Sequence, residues 1–131
     1  LIVTERSSGY KPSGDCDVYI VNTYGEMSKF LRLSNVTFIG GSLVNHGGQN
    51  PLEAVRMGNY VMHGKKVNNF KEIYKELKSL KISSEIKNID QMEKVFVKNH
   101  NYKISNSKLN KINYLGAKIF ENNVKEIKNY L

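Results

Sequence analysis

Three short apolar runs, each closed by glycine or by a helix-opening residue, constrain this chain more than any other feature. Val18, Tyr19, Ile20 and Val21 are contiguous and apolar, Val36 to Ile39 are nearly so, and Tyr60, Val61 and Met62 form the third run. A strand without polar alternation is the habit of a parallel sheet, covered on both faces. Helix signals follow each run. Thr23 stands as an N-cap with Glu26 three residues on, the spacing of a capping box, and Met27, Phe30 and Leu31 fall on one helical face. Gly40 and Gly41 close the second run. After Gly47 and Gly48, Asn50 is placed to cap a helix, with Pro51 at its first position, Glu53 at its third and Gly58 as its stop. Gly64 ends the third run.

The flanks extend this alternation. Leu1, Ile2 and Val3 predict a short buried strand over residues 1–5. A loop follows over 6–16, with turn chemistry at Ser7-Ser8-Gly9 and Pro12-Ser13-Gly14. Phe70, Ile73, Leu77 and Leu80 repeat at helical spacing. Residues 85–89 read as a last short strand and 91–97 as a helix. A long final helix places Ile112, Leu115, Ile119, Val124, Ile127 and Leu131 on its apolar side. Strands alternating with helices over short connections give an α/β domain with a parallel sheet and a helical C-terminal tail. Its crossovers are expected to be right-handed, and its ligands to sit outside the carboxyl ends of the strands.

Composition narrows the class. With 131 residues, 40% apolar and 24% charged, the chain is one globular domain or part of one, not a disordered segment. No apolar run approaches the ~20 residues that span a bilayer, and the start lacks a signal-peptide layout. A first residue of Leu1 gives the expectation of a piece of a longer chain. Cys16 stands alone, so no intrachain disulfide forms and a packing or surface role is expected. The net charge of +8 belongs wholly to the second half: residues 1–64 hold five basic and five acidic side chains, residues 65–131 fifteen and seven. Lys, Asn and Ile abound there while Arg is scarce, a pattern that fits solvated helix faces better than a nucleic-acid surface.

The strand-end rule points to three segments: residues 22–27, 40–53 and 63–65. The second, G-G-S-L-V-N-H-G-G-Q-N-P-L-E, is the richest. Its glycines let backbone approach a ligand, and helix starts after residues 23 and 50 favour an anion such as phosphate. A nucleotide or phosphorylated ligand follows, although neither a G-x-G-x-x-G fingerprint nor a Walker lysine is present. Glu53 has two readings, completion of a cap with Asn50 or acceptance of hydrogen bonds from ribose hydroxyls. Glu26 has the same two. His46, His63 and His100 are scattered, with no ligand spacing, so no metal is assigned. Ser42 has no base beside it, and no catalytic residue is assigned.

Residues 17–33, D-V-Y-I-V-N-T-Y-G-E-M-S-K-F-L-R-L, and 38–53, F-I-G-G-S-L-V-N-H-G-G-Q-N-P-L-E, resemble the C-terminal domain of the 3-deoxy-D-manno-octulosonic acid (Kdo) transferases. The family pattern runs D-T-x-G-E-L, F-V-G-G-S-L, G-G-H-N-P-L-E, a G-x-P-V-x-x-G-P segment and an N-F pair; the last two correspond here to residues 58–64 and to Asn69 and Phe70. The resemblance covers residues 1–77 and is diffuse beyond. It implies the Rossmann-like C-terminal half of a two-domain GT-B glycosyltransferase, with residues 1–131 as part of the donor domain. Such enzymes move Kdo from CMP-Kdo to the lipid A precursor (lipid IVA) in lipopolysaccharide biosynthesis, at the cytoplasmic face of the Gram-negative inner membrane. Matched by position, Gly25, Glu26 and Met27 correspond to the first CMP-binding segment, Asn50, Pro51, Leu52 and Glu53 to the second, and Gly40, Gly41 and Ser42 to the glycine loop of the donor site.

Departures are informative. Asn22 replaces the family's Asp, Gln49 its His and Lys65 its Pro, while Asn59 and Tyr60 stand in G-x-P. The family's P-R-H motif, whose arginine helps hold the donor, does not occur, nor does the N-terminal domain with its membrane anchor, acceptor groove and carboxylate base. This stretch alone is therefore expected to bind donor without catalysing transfer, with no metal and no nucleic-acid partner. The competing readings are a GT-B enzyme using a UDP-sugar, a basic module for nucleic acid or membrane surfaces, and a folded but vestigial product.

Overall fold

The computed structural model describes residues 1–9, 11 and 14–130. Pro12 and Ser13 of the expected turn, and Leu131 at the end of the expected helix, lie outside the described residues. Among the described residues five strands and five α-helices follow in the order β1 (Val3–Glu5), β2 (Val18–Ile20), α1 (Met27–Leu33), β3 (Val36–Ile39), α2 (Leu52–Arg56), β4 (Tyr60–His63), α3 (Lys71–Ser79), β5 (Ser83–Glu85), α4 (Ile89–Asn99) and α5 (Asn106–Asn129). Single 3-10 turns follow β1 at Arg6–Ser8 and precede α3 at Asn68–Phe70. Every strand pairing is parallel. The α/β class and the helical tail are as expected. The single sheet is not: the strands form two sheets, β1-β2 and β3-β4-β5.

β4 is the centre of the larger sheet, and all four of its residues are buried. Val61 faces a core built with Val55, Leu77, Ile82 and Ile112, while Tyr60 and Met62 face a second cluster with Ile86, Phe38 and Met92. Two covered faces explain why the sequence of β4 shows no alternation. A buried polar residue fixes the seam between α1 and this sheet. Asn59 accepts a hydrogen bond from Thr37 Oγ1 at 2.5 Å and donates through Nδ2 to the Leu31 carbonyl at 2.7 Å. These two hydrogen bonds offset the cost of burying its amide.

The same apolar pattern has a different outcome in β1 and β2. Val3 is 52% exposed and Ile20 42%, so the expected burial of these strands is not met. Thr4 and Tyr19 are half-buried, Tyr19 against Phe30 of α1 with ring centroids 5.9 Å apart. Polar ties hold this pair instead. The Ile2 N–H donates to Asp17 Oδ2 at 2.7 Å, and Cys16 Sγ lies 2.9 Å from Thr4 Oγ1.

The remaining differences concern ends. The last strand occupies 83–85 and stops where it was expected to begin. The apolar stripe of α5 enters the core only at Ile112, with Leu115 and Ile119 packed at its margin; Ile127 is 60% exposed. No helix of the described residues is long and apolar enough to cross a membrane.

Candidate functional site

The loops leaving β1 and β2 are joined by one ion pair. Arg6, in the turn after β1, meets Glu26 side by side, Nε to Oε2 at 3.0 Å and Nη2 to Oε1 at 3.0 Å. Thr23 Oγ1 donates to the same carboxylate at 2.6 Å, and Lys29 Nζ adds a contact of 3.4 Å. The expected capping box does not form. α1 begins only at Met27, because Thr23 turns its hydroxyl to the Glu26 side chain rather than to the helix backbone. The Arg6 and Thr23 hydrogen bonds hold the Glu26 carboxyl down at about 2, from an ordinary 4.5. Asn22 completes the link: its Oδ1 accepts from the Ser7 N–H, and its Nδ2 donates to Glu5 Oε2 at 3.1 Å.

The segment after β3 folds back on itself. Ser42 is fully buried. Its hydroxyl donates to the Ile39 carbonyl at 2.5 Å and accepts from the Gly64 N–H at 2.8 Å, which ties the end of β3 to the end of β4. Gly64 is required there, since a Cβ would run into the Ser42 backbone carbonyl. Gly47 and Gly48 serve internal contacts too, against Asn69 and against residues 66–67. Gly25 and Gly40 are different: nothing lies within 4 Å of the Cβ position of either, so these two present open backbone. Within the glycine stretch Gly40 is thus open, and at Gly41 a Cβ would meet only the His46 ring, 2.9 Å away.

At the entry of α2, Asn50 Oδ1 accepts from the Leu52 N–H at 3.0 Å, so Asn50 does cap the turn. Pro51 takes the N-cap position and α2 begins at Leu52, one residue later than expected. Glu53 does not complete the cap. Its side chain is exposed, and among the described residues its carboxylate has no hydrogen-bond or ion-pair partner. Leu52 is 6% exposed and belongs to the core, and its N–H is taken by Asn50. Helices α1 and α2 run seven and five residues, too short for a strong dipole at their starts.

The candidates do not share one enclosed cavity. Asn50 and Leu52 line a cleft of about 500 Å³ with Asn68, Asn69 and Lys71. Thr23 and Met27 line a separate groove of about 300 Å³ beside Phe30. His46 is exposed on the loop, whereas His63 is buried against Tyr74, ring centroids 4.3 Å apart, and its pKa is lowered by that burial. Among the described residues no three His, Cys, Asp or Glu side chains gather as metal ligands. Arg6 escaped the sequence reading. The signal was present, a lone cation directly after a strand end, but its partner lies twenty residues away.

No family model matches the chain. Curated relatives and a solved structure do. The 3-deoxy-D-manno-octulosonic acid transferase of Haemophilus influenzae is 39% identical over 72 residues, which is 55% of this chain and 17% of the relative. The enzyme of the same name from Rickettsia bellii is 31% identical over 130 residues, 99% of this chain and 26% of the relative. The chain therefore spans about a sixth to a quarter of the length of these relatives. The crystal structure of the C-terminal CMP-Kdo binding domain of WaaA from Acinetobacter baumannii superimposes with a TM-score of 0.70 at 28% identity, covering 74% of this chain and 51% of that one.

Proposed function

We propose that this chain, similar in sequence and fold to the C-terminal part of the Kdo transferases, is the donor-binding part of a glycosyltransferase that uses CMP-Kdo. The observation that carries the reading is the fold match to a CMP-Kdo binding domain over three-quarters of the chain. The local geometry supports it. Glu53 offers a free, exposed carboxylate, the group that accepts ribose hydroxyls in other nucleotide folds. Gly25, in the loop between β2 and α1, and Gly40, directly after β3, offer open backbone. Glu26 has a different task in this reading. Its carboxylate is saturated by Arg6 and Thr23, so it fixes the loop of residues 22–27 rather than meeting the nucleotide.

The reaction belongs to the complete enzyme. An activated hydroxyl of a lipid A precursor attacks the anomeric carbon of Kdo, and CMP leaves. Backbone donors and cations around the phosphate stabilise the leaving group. The base that takes the hydroxyl proton must lie within ~2.6–3.2 Å of it, and the proposal assigns it, with the acceptor groove and the membrane anchor, to an N-terminal domain. Action at the cytoplasmic face of the inner membrane is part of the same proposal.

The test is an amide NMR titration of the chain with CMP, UMP and AMP, repeated on Glu53→Ala. Shifts selective for CMP at residues 25–27 and 50–53, lost in the variant, are expected. Preference for UMP moves the assignment to a UDP-sugar enzyme. Absence of shifts at these residues in the folded protein overturns the site.

A further inference from the structure

We propose that the cleft bounded by α3, β5 and α4 binds a small organic molecule that carries a phosphate group. The cleft measures about 550 Å³; Lys71 also borders the cleft of Asn50 and Leu52, whereas Lys75, Lys78 and Ser83, on which the test acts, do not. Lys71, Lys75 and Lys78 line it from α3. Their spacing of four and three residues places them on one helical face. Like charges at that spacing repel one another. No acid relieves them: among the described residues the ion pairs are those of Glu26 with Arg6 and with Lys29. The acids of α3, Glu72 and Glu76, line other clefts. Glu85 is the one carboxylate on this wall, against three ammonium groups.

The floor supplies a second, independent observation. Ser83 is 6% exposed and, among the described residues, its hydroxyl has no hydrogen-bond partner. Its neighbour Ser84 is engaged by Tyr60 OH at 2.7 Å, and Tyr74 OH by the Gln49 carbonyl at 2.9 Å. A buried hydroxyl left unpaired is destabilising. Ser83 itself lines the cleft. Val67 and Val95 give the cleft an apolar side, which suits the organic body of a phosphate ester better than a bare ion.

The experiment titrates the chain with phenyl phosphate and with inorganic phosphate, against chloride at matched ionic strength, and follows amide shifts at residues 71–78 and 83–85. Saturable shifts with both phosphates and none with chloride are expected, with phenyl phosphate binding more tightly. Lys75→Ala with Lys78→Ala is expected to weaken binding about tenfold, since each removes a charge-assisted contact from a solvated position. Ser83→Ala is expected to weaken it about threefold while leaving the urea midpoint unchanged or higher. Shifts shared with chloride, or binding undiminished in the lysine variant, overturn the site. Equal affinity for the two phosphates overturns the organic ligand, and a Ser83→Ala variant that loses stability but not affinity overturns the role of its hydroxyl.

Discussion

The residues around β1 and β2 and those around β4 begin from the same kind of sequence and end in opposite physical states. Both present contiguous apolar side chains. β4 gains a layer on each face, with Val55, Leu77 and Ile112 on one side and Ile86 and Met92 on the other. β1 and β2 pair only with each other, and one ring contact, Tyr19 on Phe30, is their apolar cover. Cohesion there falls to Arg6, Glu26, Asn22 and Asp17, all polar. An apolar run specifies a strand; whether the strand is buried depends on what the rest of the chain lays over it.

The largest test of this contrast is a pair of truncations. Leu77 is fully buried, and Leu77→Ala is expected to remove about 2–5 kcal/mol from the unfolding free energy. Ile20 is 42% exposed, and Ile20→Ala is expected to change it by no more than about 0.5 kcal/mol. Urea unfolding reads both. Equal losses mean that β1 and β2 share the core after all.

Glycines give the next effect. Gly64→Ala drives a methyl group onto the Ser42 carbonyl, a backbone atom that no side-chain rotation can clear. A loss of about 1–3 kcal/mol is expected in the same urea assay, as for an overpacked core. Gly40→Ala meets nothing within 4 Å, so its stability is expected to stay within about 0.5 kcal/mol of the parent. Its CMP affinity is the useful readout, because only a ligand on that open backbone makes the added methyl felt. A Gly40→Ala protein that binds CMP unchanged removes Gly40 from the site.

How much of this was legible in the sequence depended on whether the deciding partner was near. The strands at 36–39 and 60–63, the glycine that ends α2 and the Asn50 cap are local events, and each was readable from a few residues. Glu26 and Glu53 looked alike, each three residues after a capping side chain. Arg6 separates them by taking the first and leaving the second free, and nothing within the reach of a local motif announces that. The glycine stretch was read as a ligand cradle, but Gly47, Gly48 and Gly64 answer to neighbours contributed by residues 42 and 66–69. The division into two sheets was invisible for the same reason, since pairing between strands is not encoded in the run of either one.

Arg6→Ala probes the polar half of the comparison. The pair is at the surface, where solvent screens it, so global stability is expected to change little. The local consequence is larger. Hydrogen exchange is expected to quicken at residues 5–7 and 22–26 while α3 and β4 keep their protection. Loss of protection across both regions breaks the division drawn here.

The smallest effect is a dependence on acid, and it isolates the same carboxylate. Glu26 titrates at about 2 in the folded chain against an ordinary 4.5, chiefly because Arg6 and then Thr23 hydrogen-bond its charged form. A depressed carboxyl contributes stability that is complete above the ordinary value and is lost as pH falls through the folded one. The window is therefore from about 4.5 down to about 2. Across it the loops after β1 and β2 are expected to loosen, seen as amide shifts at residues 6 and 22–26, before the β3-β4-β5 core responds. Arg6→Ala is expected to move the Glu26 carboxyl back toward 4.5 in a carboxyl-carbon NMR titration. If Glu26 already titrates near 4.5 in the parent chain, the ion pair is not formed in solution. The first region then loses its main tie, and Glu26 becomes as available to a ligand as Glu53.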